Sequence, residues 1–521
     1  MSAIAFLLIA AALGFGIAHV LRIPAIPLVM AFGMATSAIL PIPEEFLEDA
    51  LILGVVVVVF VAGIELNPGR VGRYLGTALR VGVLQFFVLG GAGLGAATLL
   101  GFAPQTAAYL GLALAASSTL VVIRVLQQRR ELYTPMGRMV TGILLLQDLL
   151  VVLLIPVVTR MDEGFAAVGA GLAGTLGLMA LAGILLRWVA PRVLPRIARD
   201  EEVLLLTVLS ALFLFLGLAH LLEIPLVGGA FLAGVALSPF PVNALVRGQL
   251  NSLGGFFSAL FFAALGAFLT LPTATEFLQA LVLAGLIVAL TPPLVALVAE
   301  RSGFSARGGI GSGLLLSQAS EFSLIVGLQG MILGQITEGA FAIIALVTVI
   351  TMMLTPVLAT GRVTSALLPL HPFRPTSRET DPPRDHILLV GCGSSGVALL
   401  ETLFGTPREI WVVDDDPVVV SRVREAGFTV VRGDATDIEV LRSAGADQAH
   451  IVVSTIRHRD DSAPLLAMAG EVPVLVRAFD DTDKEWIEER GGIAISYSEA
   501  ATADFMKWFR DAEPQPEGQA A

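Results

Sequence analysis

Residues 141–156 read Thr-Gly-Ile-Leu-Leu-Leu-Gln-Asp-Leu-Leu-Val-Val-Leu-Leu-Ile-Pro and place one carboxylate, Asp148, midway along an otherwise apolar span. An ionised carboxylate in hydrocarbon costs several kcal/mol or shifts its pKa until it is neutral, so an acid at membrane depth faces a water path, a partner or a bound cation. Two readings follow from the residue alone. Asp148 binds a cation and a proton alternately, or it is a helix-packing acid satisfied by a neighbour.

Composition sets the class outward from that span. Hydrophobic residues are 55% of 521, charged residues 15%, and mean hydropathy is +0.83, values that place most of the chain in lipid. A formal charge of −12 argues against a nucleic-acid partner, since phosphate binding requires a basic face. Cys392 is the single cysteine, so no intramolecular disulfide exists. The first apolar run, Ala3 to Leu21, precedes its first basic residue, Arg22. A secretory signal carries its positive charge before the apolar core, so the run is expected to be a retained first helix.

Apolar stretches of membrane length recur, broken by Pro, Gly and charge, and thirteen spans are expected: 3–21, 25–41, 46–65, 77–100, 106–127, 138–159, 165–188, 202–222, 225–240, 253–271, 275–299, 308–333 and 338–362. Loops at the ends of odd-numbered spans hold Arg22; Arg70, Arg73 and Arg80; Arg124, Arg129, Arg130 and Arg138; Arg187, Arg192, Arg196 and Arg199; Arg247; Arg301 and Arg307; and Arg362. Loops after even-numbered spans hold Arg160 alone. This alternation puts the odd-span loops and the C-terminus in the cytoplasm and the N-terminus outside.

Thirteen spans suit an inverted repeat of six and six about a linking seventh helix, which pairs span 5 with span 12. Span 5 carries Ser117-Ser118-Thr119 and span 12 carries Ser317-Gln318-Ala319-Ser320-Glu321, polar runs where a lipid-facing helix has Leu or Val. Such runs satisfy backbone freed by a broken helix, or they pack helices closely. As matched positions in two halves flanking Asp148, they favour an ion site.

Gly63-Ile-Glu-Leu-Asn-Pro68, Ser117-Ser-Thr119, Leu144-Leu-Leu-Gln-Asp148, Gly229-Ala-Phe-Leu-Ala-Gly234, Phe261-Phe262 and Ser317-Gln-Ala-Ser-Glu-Phe322 occur in that order. Over residues 50–330 the chain thereby resembles the Kef-type branch of the monovalent cation:proton antiporters. The resemblance implies a polytopic α-helical membrane domain with crossed, discontinuous helices at spans 5 and 12. It also implies that Asp148 carries ion and proton, with Gln147, Ser117, Ser118, Thr119, Gln318 and Glu321 around it. Other polar residues read more simply: Glu65 is solvated at the end of span 3, His19 and His220 lie at helix ends, and Glu223 is a surface charge.

From residue 367 the character changes. Residues 367–384 are Pro-rich and charged, a linker after the membrane domain of residues 1–366. A short apolar strand to Val390 then meets Gly391-Cys-Gly-Ser-Ser-Gly396, a helical pattern from Val397, and a second strand, Ile410-Trp-Val-Val413, ending in Asp414-Asp-Asp416. This is a dinucleotide fingerprint in its required setting. Gly391 permits the tight turn, Gly393 lets backbone approach a pyrophosphate, Gly396 lets helix pack on strand, and Asp414 stands where a carboxylate accepts from ribose hydroxyls. Further strands are expected at 430–431, 451–455 and 474–476.

Residues 385–510 resemble the regulator-of-K⁺-conductance nucleotide-binding domain, whose Gly-Asp-Ala-Thr motif is matched at 433–436. That resemblance implies an α/β Rossmann-like domain, dimerisation, and NAD(H), AMP or ATP as a regulatory ligand. The expected contacts are Gly391, Cys392, Gly393, Ser394, Ser395, Gly396, Asp414, Asp415, Asp434 and Ala435. Residues 511–521 are a tail, and no second ligand-binding subdomain is expected before Ala521.

Three functions are compatible with parts of the chain. A nicotinamide-dependent enzyme lacks a substrate domain after the Rossmann unit. A nucleotide-gated potassium channel lacks a Thr-Val-Gly-Tyr-Gly filter. A proton-coupled cation antiporter of the inner membrane accounts for both halves, K⁺ over Na⁺ by resemblance, as a homodimer in lipid with no catalytic residues and no resident metal. Relatives that move two protons pair a second aspartate or a lysine with the carrier acid. Here Gln147 precedes Asp148 and no lysine precedes Lys484, so one proton per cation is expected.

Overall fold

A computed structural model describes residues 2–509 apart from 22, 41, 66–73, 130, 198–200, 239–241, 303, 305, 368–383, 457–458, 469, 497–498, 500–501, 503–504 and 507. Arg22, Arg70, Arg73, Arg130, Arg199, the motif residues Leu66 to Pro68, most of the 367–384 linker and the 511–521 tail lie outside the described residues, as do the side chains of Glu65, Arg247, Arg362 and Ser394. The chain forms two compact units, one of Met1–Ala299 and Gly308–Leu368, the other of Glu300–Arg307 and Pro369–Ala521.

The first unit is all helix: α1 (Ser2–Leu21), α2 (Ala25–Ile39), α3 (Glu44–Glu65), α4 (Leu75–Leu99), α5 (Pro104–Ala115), α6 (Thr119–Gln128), α7 (Pro135–Thr159), α8 (Phe165–Ile184), α9 (Ala190–Ile197), α10 (Glu201–Leu221), α11 (Leu226–Ala236), α12 (Val242–Phe268), α13 (Ala274–Arg301), α14 (Ala306–Leu315), α15 (Glu321–Ile332), α16 (Glu338–Leu358) and α17 (Gly361–Leu367). Nine helical spans among the described residues are long and apolar enough to cross a membrane, with four shorter apolar helices between them. Their positions follow the thirteen expected spans. Four differ in form. Span 10 starts eleven residues earlier, at Val242, span 7 runs through a π-turn at Leu185–Val189 into α9, and spans 5 and 12 are each two helices.

Two helix groups make up this unit. In one, α2 and α3 pack along α12, and α3 also along α11. Close approach there rests on reciprocal glycines. A Cβ on Gly33 of α2 would lie 2.1 Å from the Ala263 carbonyl oxygen of α12, and one on Gly266 of α12 would lie 2.0 Å from that of Met30. The same pattern recurs where Gly63 of α3 meets the Phe231 carbonyl at 2.2 Å and Gly234 of α11 meets that of Phe60 at 2.1 Å. Exchanging spans 2 and 10 for spans 9 and 3 maps one contact onto the other, the signature of an inverted repeat. We call this group the scaffold bundle. The carrier bundle is built on α4, α5, α7, α15 and α16, with α5 and α15 packed together.

The second unit holds a six-stranded parallel sheet of β1 (Ile387–Val390), β2 (Ile410–Asp414), β3 (Thr429–Arg432), β4 (Ile451–Ser454), β5 (Val474–Ala478) and β6 (Ile493–Ser496), in the order β3-β2-β1-β4-β5-β6. Central strands β1 and β2 are buried throughout, as expected with helices on both faces. The register sets Val390 beside Val413 and Ser454, so the ends of β1, β2 and β4 lie level. β6 was not anticipated: Ile493 and Ile495 are exposed on this edge strand, so it lacks the buried apolar run by which its neighbours are read.

Candidate functional site

The carrier site is made by chain breaks. α5 stops at Ala115 and the backbone turns extended at Ala116 (φ −108°, ψ 147°) before α6 starts at Thr119. α14 stops at Leu315 and α15 starts at Glu321. The polar runs read from the sequence occupy both breaks, so breakage and not close packing of intact helices is their role here. The breaks touch. Ser117 Oγ donates to the Leu316 carbonyl at 2.7 Å, Ser118 Oγ to Glu321 Oε1 at 2.5 Å, and Ser323 Oγ to the Ala113 carbonyl.

α7 lies beside this crossing and supplies both of its expected residues. Gln147 Oε1 accepts from the Ser117 N–H at 3.0 Å, and Asp148 Oδ2 accepts from Thr119 Oγ1 at 2.9 Å. Asp148 is 2% exposed. Ser118 also caps α6, accepting from the Val121 N–H. Glu321 opens α15, where a negative charge suits the helix N-terminus, and its second oxygen accepts from Ser320. Glu321 Oε1 thus holds the crossing, while Oε2 is engaged locally by its neighbour Ser320. Gln318 lies in the second break with its Nε2 donating to the Leu315 carbonyl, while its buried Oε1 is an acceptor without a hydrogen-bond partner. Such an acceptor is available to a cation, which donates nothing and needs oxygen ligands.

Three participants were missed from the sequence, Gln85, Thr351 and Ser323, while Ser320 lies in the run quoted above. Gln85 of α4, fully buried, donates to Ser117 Oγ at 3.2 Å. Thr351 of α16 accepts from the Ala319 N–H at 3.0 Å, the counterpart in the second repeat of Gln147 at Ser117. Ser320 and Ser323 form a capping box on α15. Gln85 was findable as a lone amide in a 25-residue apolar helix. Thr351 was not, because threonine often bonds back to its own helix, as it also does here to the Val347 carbonyl. His19 and His220 are exposed.

The second candidate site lies at the carboxyl ends of β1, β2 and β4, where the strand order reverses. Gly391 has φ +84°, a region closed to most side chains. A Cβ on Gly396 would lie 2.3 Å from the Gly391 carbonyl oxygen, whereas one on Gly393 would meet nothing within 4 Å. The loop is therefore tight behind and open in front, over the N-terminus of a helix, α18 (Ser394–Leu403). That cradle fits a pyrophosphate. Arg477 of β5 donates to Ser395 Oγ at 2.7 Å, and Thr455 Oγ1 to the Gly391 carbonyl at 2.7 Å.

Asp414 differs from a free ribose acceptor. Its Oδ2 takes the Cys392 N–H at 2.6 Å and its Oδ1 the Asp416 N–H at 2.9 Å, so it first braces the loop. Each oxygen keeps a lone pair for a hydroxyl donor. Burial pushes its pKa up, against the lowering effect of those two bonds. Cys392 turns its side chain into the apolar cluster with Leu389 and Val412, its thiol pushed up to about 11 by burial and by Asp414, so its side chain is core and not groove. Asp415 is exposed beside Asp414, Asp434 accepts from the N–H and hydroxyl of Thr436, and Ala435 packs on the core.

Comparison with known proteins agrees with both folds. The family model "Sodium/hydrogen exchanger, transmembrane" matches residues 4–360, and the model "TrkA-N domain" matches 387–497. The protein named glutathione-regulated potassium-efflux system protein KefC from Shigella flexneri serotype 5b (strain 8401) is 28% identical over 457 residues, covering 82% of this chain and 71% of that protein. Its namesake from Salmonella typhi is 29% identical over 429 residues, 78% of this chain and 66% of that protein. The solved sodium proton antiporter MjNhaP1 from Methanocaldococcus jannaschii at pH 8 superposes with a TM-score of 0.56 at 20% identity, over 71% of this chain and 99% of that one, and shares the fold. With the exchanger model spanning well over half its length and a TrkA-N domain following, this chain belongs to the sodium/hydrogen exchanger family.

Proposed function

We infer that the chain exchanges a monovalent cation, K⁺ in preference to Na⁺, for a proton at Asp148, under control of an adenine nucleotide bound by the TrkA-N domain. One observation carries the reading: a buried carboxylate midway along α7 is held by Thr119 at the point where two interrupted helices cross. Cation and proton compete for that carboxylate, so loading one expels the other. Movement of the carrier bundle against the scaffold bundle then exposes the site to each side in turn. K⁺ is favoured over Na⁺ because the KefC relatives are named potassium-efflux proteins. Loop arginines support an inner-membrane orientation with the N-terminus outside and the nucleotide domain in the cytoplasm. A homodimer fits the domain type.

The test is ion-dependent pH change in proteoliposomes given K⁺, Rb⁺ or Na⁺. K⁺ and Rb⁺ are expected to collapse an imposed pH gradient at several times the Na⁺ rate; a Na⁺ rate above the K⁺ rate would reverse the selectivity. Glu321 is engaged at both oxygens by Ser118 and Ser320, which supports a single titrating group and one proton per cation. An imposed membrane voltage is therefore expected to drive no ion accumulation. Transport currents that track turnover would require a second charge-moving group.

In the nucleotide domain, Gly391, Gly393 and Gly396 would hold the pyrophosphate on α18, and Asp414 would accept from the ribose. Because burial raises the Asp414 pKa, its charged form is lost above the ordinary aspartate range as pH falls. Calorimetry on the full chain is expected to show NAD(H) affinity falling as pH is lowered through the raised Asp414 pKa, never rising. Asp414→Ala should cost about tenfold to a hundredfold at pH 8 and flatten the profile. An unchanged affinity in Asp414→Ala would remove this residue from the site.

A further inference from the structure

We propose that Arg160 and Glu223 form a latch between the carrier and scaffold bundles, closing the ion site from the face assigned above to the outside. The proposal rests on the antiport reading only for what moves, and on the geometry for where.

A cavity of about 650 Å³ opens between the two bundles. Val55 and Val56 of α3 line it on the scaffold side, Ile325 and Leu328 of α15 on the carrier side, and Arg160 and Glu223 stand at its rim. Neither Asp148 nor Thr119 nor Glu321 lines it. Ile325 follows Glu321 by one helical turn, so the cavity stops one apolar layer short of the site. Carrying water and a cation further requires the walls at α15 and α3 to part beyond Ile325.

Each latch residue is fixed to its own bundle. On the carrier side, the Tyr109 hydroxyl of α5 donates to Gln335 Oε1, and Gln335 Nε2 donates to the Thr159 carbonyl at 2.7 Å. This ties the middle of α5 and the end of α7 to the segment just after α15, with Arg160 next in the chain. On the scaffold side, Glu223 sits in the turn from α10 to α11, and a Cβ on Gly229 of α11 would lie 2.8 Å from the Phe215 carbonyl oxygen of α10. Those two helices are pressed together, and α11 is locked to α3 by the Gly63 and Gly234 contacts.

Between the two anchors, Arg160 Nη2 donates to the Glu223 carbonyl and lies 3.4 Å from Glu223 Oε2. Glu223 itself holds φ +52° at the end of α10, with its N–H on the His220 carbonyl and the Ile224 N–H on the Ala219 carbonyl. This helix ending normally takes glycine, because a side chain is strained there. The glutamate is kept at the position from which its carboxylate reaches Arg160. An exposed ion pair is weak, which suits a contact that must break in every cycle.

The experiment places a cysteine in the cavity wall, Leu328→Cys, in the full-length protein, and measures labelling by a membrane-impermeant maleimide added outside. Native Cys392 is buried with its thiol pushed up to about 11 and does not compete. Arg160→Gln is expected to raise the labelling rate about tenfold. Glu223→Gly, which relieves the strained backbone and folds at least as well, is expected to raise it about threefold, since the carbonyl contact survives. Unchanged labelling in both variants, or labelling only from the cytoplasmic side, would overturn the latch. Labelling requires no transported ion, so a parent protein that labels as expected but exchanges no cation would refute the antiport reading and leave the latch standing.

Discussion

Asp148→Asn is expected to abolish exchange, a fall of at least about a hundredfold to the rate of empty liposomes, with folding intact. The amide keeps the shape of the carboxylate and an oxygen to accept from Thr119, so the local bond at 2.9 Å survives. It neither titrates nor carries charge. A dehydrated cation then finds no countercharge, and no proton is released when one arrives. Burying a neutral amide costs less than burying an ionised acid, so thermal stability in detergent should be equal or higher. Full exchange in a folded Asp148→Asn protein would end the carrier assignment, and unfolding would mean that Asp148 serves packing, the simpler of its two readings.

Gly266→Leu is expected to unfold the scaffold bundle. The first atom of any side chain there would lie 2.0 Å from the Met30 carbonyl oxygen and 2.6 Å from its carbonyl carbon and Cα, all backbone. No rotamer change relieves such an overlap, so α2 and α12 must separate, at a cost of roughly 3 kcal/mol or more. Gly33 faces Ala263 in the same contact and loses its packing too. Gly234→Leu should behave alike, because it occupies the equivalent place in the other half, 2.1 Å from the Phe60 carbonyl oxygen. Gly285→Leu in α13 is the control. A Cβ there meets nothing within 4 Å, so it should be neutral or slightly stabilising, as removal of a helical glycine. Size-exclusion profiles and melting in detergent read the difference; an intact, equally stable Gly266→Leu protein would contradict the close approach.

Local chemistry made much of the chain legible. Span lengths follow from the thickness of hydrocarbon, so the count of spans survived folding with shifts only at ends that lack a hydrophobic edge, as at Val242. Gly391 was readable because φ +84° admits little else, and Asp148 because a charge at membrane depth has few bland explanations. The glycines of α2, α3, α11 and α12 were visible too, but not their partners.

What the amino-acid sequence determined by itself was the membrane domain, its repeat pairing, the acid at membrane depth and the nucleotide fingerprint, each a matter of residue type at short range. Tertiary structure decided the rest. Ser118 reaches Glu321 across 203 positions, and Arg160 reaches Glu223 across 63. Whether Ser117 to Thr119 glue helices or break them, and which partner the surface charge of Glu223 meets, depends on which distant backbone stands opposite. The same holds for Asp414, whose two oxygens take N–H groups that the fold of the glycine loop presents. A hydrogen bond needs its partner within about 3 Å, and only the packed chain brings residues so far apart in sequence to that distance.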